Sequence, residues 1–121
     1  MLNIDNTNNN DDGINRREND RKMLHTRAIL AIPGKPILEV RTLDISIGGI
    51  GIVASVNLVA RIPCKLAFSL PLRHGKKINV EAEGYVTHSL FSNSHDGFKI
   101  GIRFKDVSPE LEKEIARYLR T

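Results

Sequence analysis

Ile37-Leu38-Glu39-Val40-Arg41-Thr42-Leu43, Asp44-Ile45-Ser46-Ile47-Gly48-Gly49 and Ile50-Gly51-Ile52-Val53 follow one another without a break, and their reading decides the fold. In the first segment Ile37, Glu39 and Arg41 alternate with Leu38, Val40 and Thr42. This is the two-residue period of a strand with one face toward a core. A polar, glycine-bearing bend comes next. The third segment is a second short strand, in which Gly51 marks a bulge or a close backbone contact.

The same strand-and-turn grammar extends in both directions. On the amino-terminal side, Thr26 to Ile32 is a β-prone run, and Pro33-Gly34-Lys35-Pro36 turns the chain because proline fixes φ while glycine permits positive φ. Beyond Val53, Ile62 to Leu70 places Cys64, Leu66, Phe68 and Leu70 on one parity, and Arg73-His74-Gly75-Lys76-Lys77 is its turn. Ile78 to Leu90 reads as a long strand, Phe91 to Gly97 as a polar loop and Phe98 to Phe104 as the last strand. Many short strands joined by turns predict an all-β barrel or sandwich.

The end of the chain changes character. Ser108 suits a helix N-cap and Pro109 the first helical position, while Leu111, Ile115, Tyr118 and Leu119 recur at helical spacing on one face. Glu110 and Glu112 near the start and Arg117 and Arg120 near the end complement the helix dipole. At the other extreme, residues 1–15 are rich in Asn and Asp without hydrophobic periodicity, which predicts a disordered tail.

A length of 121 residues leaves room for one domain, so any output requires another molecule. No run approaches the ~20 apolar residues of a bilayer crossing, and the start, Met1-Leu2-Asn3-Ile4-Asp5, lacks the basic and apolar stretches of a secretion signal. A cytoplasmic location and no membrane partner are expected. Cys64 is the single cysteine, which excludes an internal disulfide and a thiolate metal cage, and among Ile62, Pro63 and Leu66 it reads as a buried small apolar side chain.

The formal charge is +4, and Asp5, Asp11 and Asp12 carry three negative charges in the tail, so residues from Gly13 onward carry +7. That balance favours an anionic partner. Unspecific nucleic-acid binding is a rival, but the chain has no tryptophan, no aromatic row for stacking and no helix dense in Lys and Arg.

Two clusters carry chemistry. Arg16-Arg17-Glu18-Asn19-Asp20-Arg21 supplies guanidinium groups able to form forked, charge-assisted bonds to phosphate or to the O6 and N7 edge of guanine. In the bend, Asp44 can accept from the N1 and N2 side of a guanine, Ser46 can donate or accept, and Gly48 and Gly49 admit close backbone approach. The hairpin between them brings the clusters together. Each has a plainer explanation alone: solvated charges for Arg17 and Arg21, strand-end caps for Asp44 and Ser46, and a tight turn for the glycines.

These residues resemble the PilZ domain pattern, RxxxR in an N-terminal loop followed some two dozen residues later by [D/N]xSxxG. Arg17 and Arg21 fill the first motif, and Asp44, Ser46 and Gly49 fill the second. Gly101-Ile102-Arg103-Phe104 also resembles the family's closing strand. The resemblance implies a six-stranded antiparallel β-barrel with one C-terminal helix and a flexible N-terminal arm. The arm would cover residues 16–25, the barrel 26–106 and the helix 108–120.

It further implies a bacterial receptor for cyclic di-GMP, without enzymatic activity or cofactor, that alters a surface read by a downstream protein in motility, exopolysaccharide synthesis, adhesion or biofilm formation. In the family, an arginine in the place of Arg16 goes with an intercalated dinucleotide dimer, which implies two ligands per chain. Many relatives carry a tryptophan or basic residue on the strand corresponding to Tyr85 to His88. Here Thr87 and His88 stand instead, and His88 is a possible base contact.

Nothing in the sequence suggests catalysis or metal binding. His25, His74, His88 and His95 lack metal-ligand spacing, Ser46 is not in a GxSxG elbow, and no phosphate-binding GxxxxGK[ST] loop occurs. The alternatives that remain are a ligand-independent adaptor for protein partners and an unspecific nucleic-acid-binding barrel.

Overall fold

The computed structural model describes residues 20–121. The expected tail at residues 1–15, and Arg16 and Arg17, lie outside the described residues. The strands are β1 (Lys22–Met23), β2 (Arg27–Ala31), β3 (Leu38–Ile45), β4 (Gly49–Ala54), β5 (Pro63–Pro71), β6 (Lys77–Ser92) and β7 (Gly97–Lys105), followed by the helix α1 (Pro109–Leu119).

All pairings are antiparallel, in the order β3-β2-β5-β6-β7-β4, and β4 pairs back onto β3. The six-stranded barrel expected from the sequence is therefore closed. Closure leaves none of its six strands with a bare edge along its whole length. The two-residue β1 continues the line of β2 along β3, pairing Lys22 with Ile45 and Met23 with Asp44.

The alternation in β2, β3 and β5 fills the interior. Ala28, Leu30, Val40, Cys64, Leu66, Phe68 and Leu70 are buried, with Glu39 and Arg41 turned to solvent. Residues of β4, β6 and β7 close the core from the other side, and Ile50, Ile52, Val86 and Ile100 are almost wholly buried.

Two irregularities break the period. Between Thr42 and Asp44 the register of β3 against β4 slips by one residue, and Leu43 is the extra residue. Inward parity passes from Val40 and Thr42 to Ile45, so Asp44 turns outward. A second slip between Val86 and His88 makes Thr87 the extra residue of β6 and sends His88 outward as well.

Several boundaries differ from the sequence reading. The Phe91 to Gly97 loop is shorter than expected. β6 runs on to Ser92 because Phe91 pairs with Phe98 across the hairpin, ring centroids 5.4 Å apart at 73°. Asp44 and Ile45 belong to β3, and Gly49 to β4, which leaves Ser46-Ile47-Gly48 as the bend.

The helix starts as its sequence demands. Ser108 Oγ accepts from the Leu111 N–H at 3.1 Å, and Ile115 is fully buried, with Leu111, Tyr118 and Leu119 packed around it on the core. Its last turn is tied to β1. The Tyr118 hydroxyl donates to the Met23 carbonyl at 2.6 Å, and Lys22 Nζ donates to the Tyr118 carbonyl at 3.1 Å while lying 4.3 Å from the Tyr118 ring centroid. No helix among the described residues is long and apolar enough to cross a membrane.

Candidate functional site

The two bulges do more than bend strands. By turning Asp44 and His88 outward they complete a row that crosses four adjacent strands at one level: Asp44 on β3, Gly51 on β4, Gly101 on β7 and His88 on β6. At about 4.8 Å per strand, the row spans about 14 Å. Its two central members have no side chain, and the outer face of the barrel carries a trough here, with the Asp44 carboxylate reaching over Gly51 and the His88 ring over Gly101. A groove of about 410 Å³ lies over it.

The first wall is an ion pair reinforced by a hydroxyl. Arg21 Nη2 lies 2.9 Å from Asp44 Oδ1, and Arg21 Nη1 donates to Ser46 Oγ at 3.3 Å. Ser46 is buried and largely committed to the bend. Its Oγ accepts from the Gly49 N–H at 3.1 Å, and its own N–H donates to the Gly49 carbonyl at 2.8 Å. The serine thus holds the β3–β4 connection and presents Arg21 with an oriented acceptor.

The opposite wall is His88. Thr87 Oγ1 donates to the Gly101 carbonyl at 3.1 Å and lies 3.0 Å from His88 Nδ1. Because the threonine proton is used on the carbonyl, the pair is satisfied with the imidazole proton on Nδ1.

The glycines have distinct reasons to be there. A Cβ on Gly49 would stand 2.3 Å from the Ile102 carbonyl oxygen, so the strand pairing itself excludes a side chain. A Cβ on Gly51 would stand 2.5 Å from Asp44 Oδ1, and one on Gly101 would meet the His88 ring and Thr87 Oγ1. Gly48 has open space around it. Neither Gly48 nor Gly49 adopts positive φ, so the bend does not draw on the conformational freedom of glycine.

The structure therefore brings Arg21, Asp44, Ser46, Gly48, Gly49 and His88 to one groove. It adds residues that the sequence reading did not single out for the site: Gly51, Gly101, Thr87, Lys99 and Arg103. Gly51 carried a signal, as a glycine inside a strand. Lys99 and Arg103 carried none beyond their charge, because their place depends on the β4–β7 register.

The PilZ domain family model matches residues 15–121. The chain belongs to the PilZ domain family. No curated protein matches it by sequence. Among solved structures, the Bacillus subtilis inhibitor of motility MotI (DgrA) superposes with a TM-score of 0.73 at 15% identity, covering 83% of this chain and 47% of that one. The PilZ domain of Escherichia coli YcgR with c-di-GMP gives 0.62 at 15% identity over 83% of this chain and 86% of that one. Borreliella burgdorferi PlzA in complex with c-di-GMP gives 0.59 at 20% identity, covering 94% and 45%. At these identities the likeness is one of fold. The chain spans about half the length of MotI and of PlzA.

Proposed function

We propose that this PilZ domain is a receptor for cyclic di-GMP, which lies in the glycine trough between the Arg21–Asp44 wall and His88. The observation that carries the reading is the four-strand row with side-chain-free centre and polar ends. A guanine is a planar slab with acceptors on its O6 and N7 edge and donors at N1 and N2. Arg21 matches the first edge and Asp44 the second, while the His88 ring, which lies over Gly101, closes the far end of the groove. Family membership and the c-di-GMP complexes of YcgR and PlzA support the same ligand.

Arg17 stands four residues before Arg21, a span of at most about 14 Å in extended chain, so its guanidinium can reach the trough, and so can that of Arg16. Two desolvated guanidinium contacts of about 1 to 3 kcal/mol each supply a large part of the ~8 kcal/mol of micromolar binding. Arg16 adds a third guanidinium, which suits an intercalated dimer with four phosphate charges, two dinucleotides per chain. The domain acts as a receptor rather than an enzyme. Binding draws the arm that carries Arg16 and Arg17 over the trough and remakes a surface that a downstream protein reads, with motility as the favoured output in view of the fold shared with MotI.

Calorimetry with cyclic di-GMP, cyclic di-AMP, GTP and GMP tests the reading. Selective binding of the first, at two per chain, is the expected result. No heat with any of them at millimolar concentration would leave the domain a protein adaptor, and equal affinity for oligonucleotides would make it an unspecific basic barrel.

A further inference from the structure

The walls at the two ends of the trough leave its two long sides to be accounted for, and each carries a cation. On β7, Lys99 and Arg103 stand two residues before and two residues after Gly101, on the same outward parity. Each Cα is therefore about 7 Å from the glycine along the strand, well within the length of a Lys or Arg side chain. In register across the sheet, Arg103 is opposite Gly49 and Lys99 opposite Val53, so the cations bracket the Gly51–Gly101 floor on both sides. Both are exposed, both line the groove, and neither has an ion-pair or side-chain hydrogen-bond partner among the described residues. Arg21, by contrast, is already paired with Asp44.

The charges give this placement a consequence. The described residues that line the groove carry a formal +2, from Arg21, Lys99 and Arg103 against Asp44. One cyclic di-GMP carries two phosphate charges, and an intercalated pair carries four. Without Lys99 and Arg103, the three motif arginines and Asp44 sum to +2, half the charge of an intercalated pair. With both cations present the site reaches +4.

We propose that Lys99 and Arg103 are phosphate ligands of this groove, and that their two charges are what admits a second dinucleotide. The proposal rests on the reading of the trough as a cyclic di-GMP site. It assigns stoichiometry to strand β7 as well as to Arg16. Guanine rings lie in the groove between the two walls, and the sugar–phosphate rims lie along its sides within reach of the two cations.

The test is titration calorimetry of the full chain with cyclic di-GMP at several salt concentrations between about 50 and 200 mM, for the parent and for Lys99→Gln, Arg103→Gln and the double variant. Each single change is expected to weaken binding about tenfold and to flatten the salt dependence by about one unit of slope. The double variant should bind one dinucleotide where the parent binds two. Melting curves equal to the parent's would show that these exposed positions leave the fold intact, and Lys99→Glu should weaken binding further than Lys99→Gln. A parent that takes two dinucleotides while the double variant also takes two, with unchanged affinity and salt slope, would overturn this inference and leave the receptor reading standing. A parent that takes only one would overturn the stoichiometric role of the two cations. A parent that takes none would remove both readings.

Discussion

Arg21 Nη2 meets Asp44 Oδ1 at 2.9 Å across 23 residues of sequence, and the pair stands half in solvent, with side-chain exposures of 42% and 37%. An ion pair so exposed contributes about 0 to 1 kcal/mol to folding. Its geometry is therefore better explained by what it presents than by what it stabilises. Arg21→Ala is expected to leave the melting temperature within a few degrees of the parent and to abolish cyclic di-GMP binding by calorimetry. A variant that unfolded readily but bound normally when folded would reverse that assignment.

The glycines of the site separate into those that the barrel needs and those that the ligand needs. Gly49→Ala sets a methyl against the Ile102 carbonyl, a backbone atom that cannot move aside, and should cost about 1 to 3 kcal/mol or more in chemical denaturation. Gly48→Ala has open space and should be nearly silent in stability. Gly51→Ala meets the end of the Asp44 side chain and, at 3.8 Å, Arg21 Nη2, with no backbone atom in the way. It should fold, push the carboxylate away from Arg21 and weaken cyclic di-GMP binding at least tenfold. Equal effects of all three substitutions on stability would refute this division.

Much of this was legible in the sequence, and the part that was not has a definite cause. Alternation placed Val40 and Thr42 inside and Glu39 and Arg41 outside, and the Ser108-Pro109 pair placed the helix start, because these features depend on near neighbours. The bulges at Leu43 and Thr87 are different. Each is a relation between two strands, and the outward turn of Asp44 and His88 follows from it. For the same reason the opposition of Gly51 and Gly101, 50 residues apart, and the bracketing by Lys99 and Arg103 could not be read along the chain.

Thr42 couples the fold to the site. Its buried hydroxyl accepts from the Thr26 N–H at 2.9 Å and donates to the Leu24 carbonyl, pinning the chain where β1 gives way to β2. Arg21 immediately precedes β1. Thr42→Val keeps the volume but leaves the Thr26 N–H and the Leu24 carbonyl unsatisfied, at about 1 to 3 kcal/mol. The expected result is a lower melting temperature together with weaker cyclic di-GMP binding, while Tyr118→Phe, which removes one bond from Met23 on the helix side, should cost about 1 kcal/mol in stability. Thr42→Val with parental stability would show that the hydroxyl does not hold the junction.

Cys64 provides a check on the core that is independent of any ligand. Burial disfavours the thiolate and pushes the thiol up from 9.0 to about 11. In the unfolded chain the thiol ionises first, so as pH rises from 9.0 toward about 11 the unfolded state loses its proton while the folded state keeps it, and stability falls across that window. Below pH 9.0 both states hold the proton and the effect vanishes. Denaturant titrations at pH 8, 9, 10 and 11 should therefore show a decline in the parent that Cys64→Ala lacks, on top of any loss common to both. At pH 8 the folded thiol should react with a disulfide reagent far more slowly than the unfolded one. Rapid, stoichiometric labelling of the folded protein would mean that the β5 face bearing Cys64, Leu66 and Phe68 is open to solvent and that the barrel interior is not closed as described.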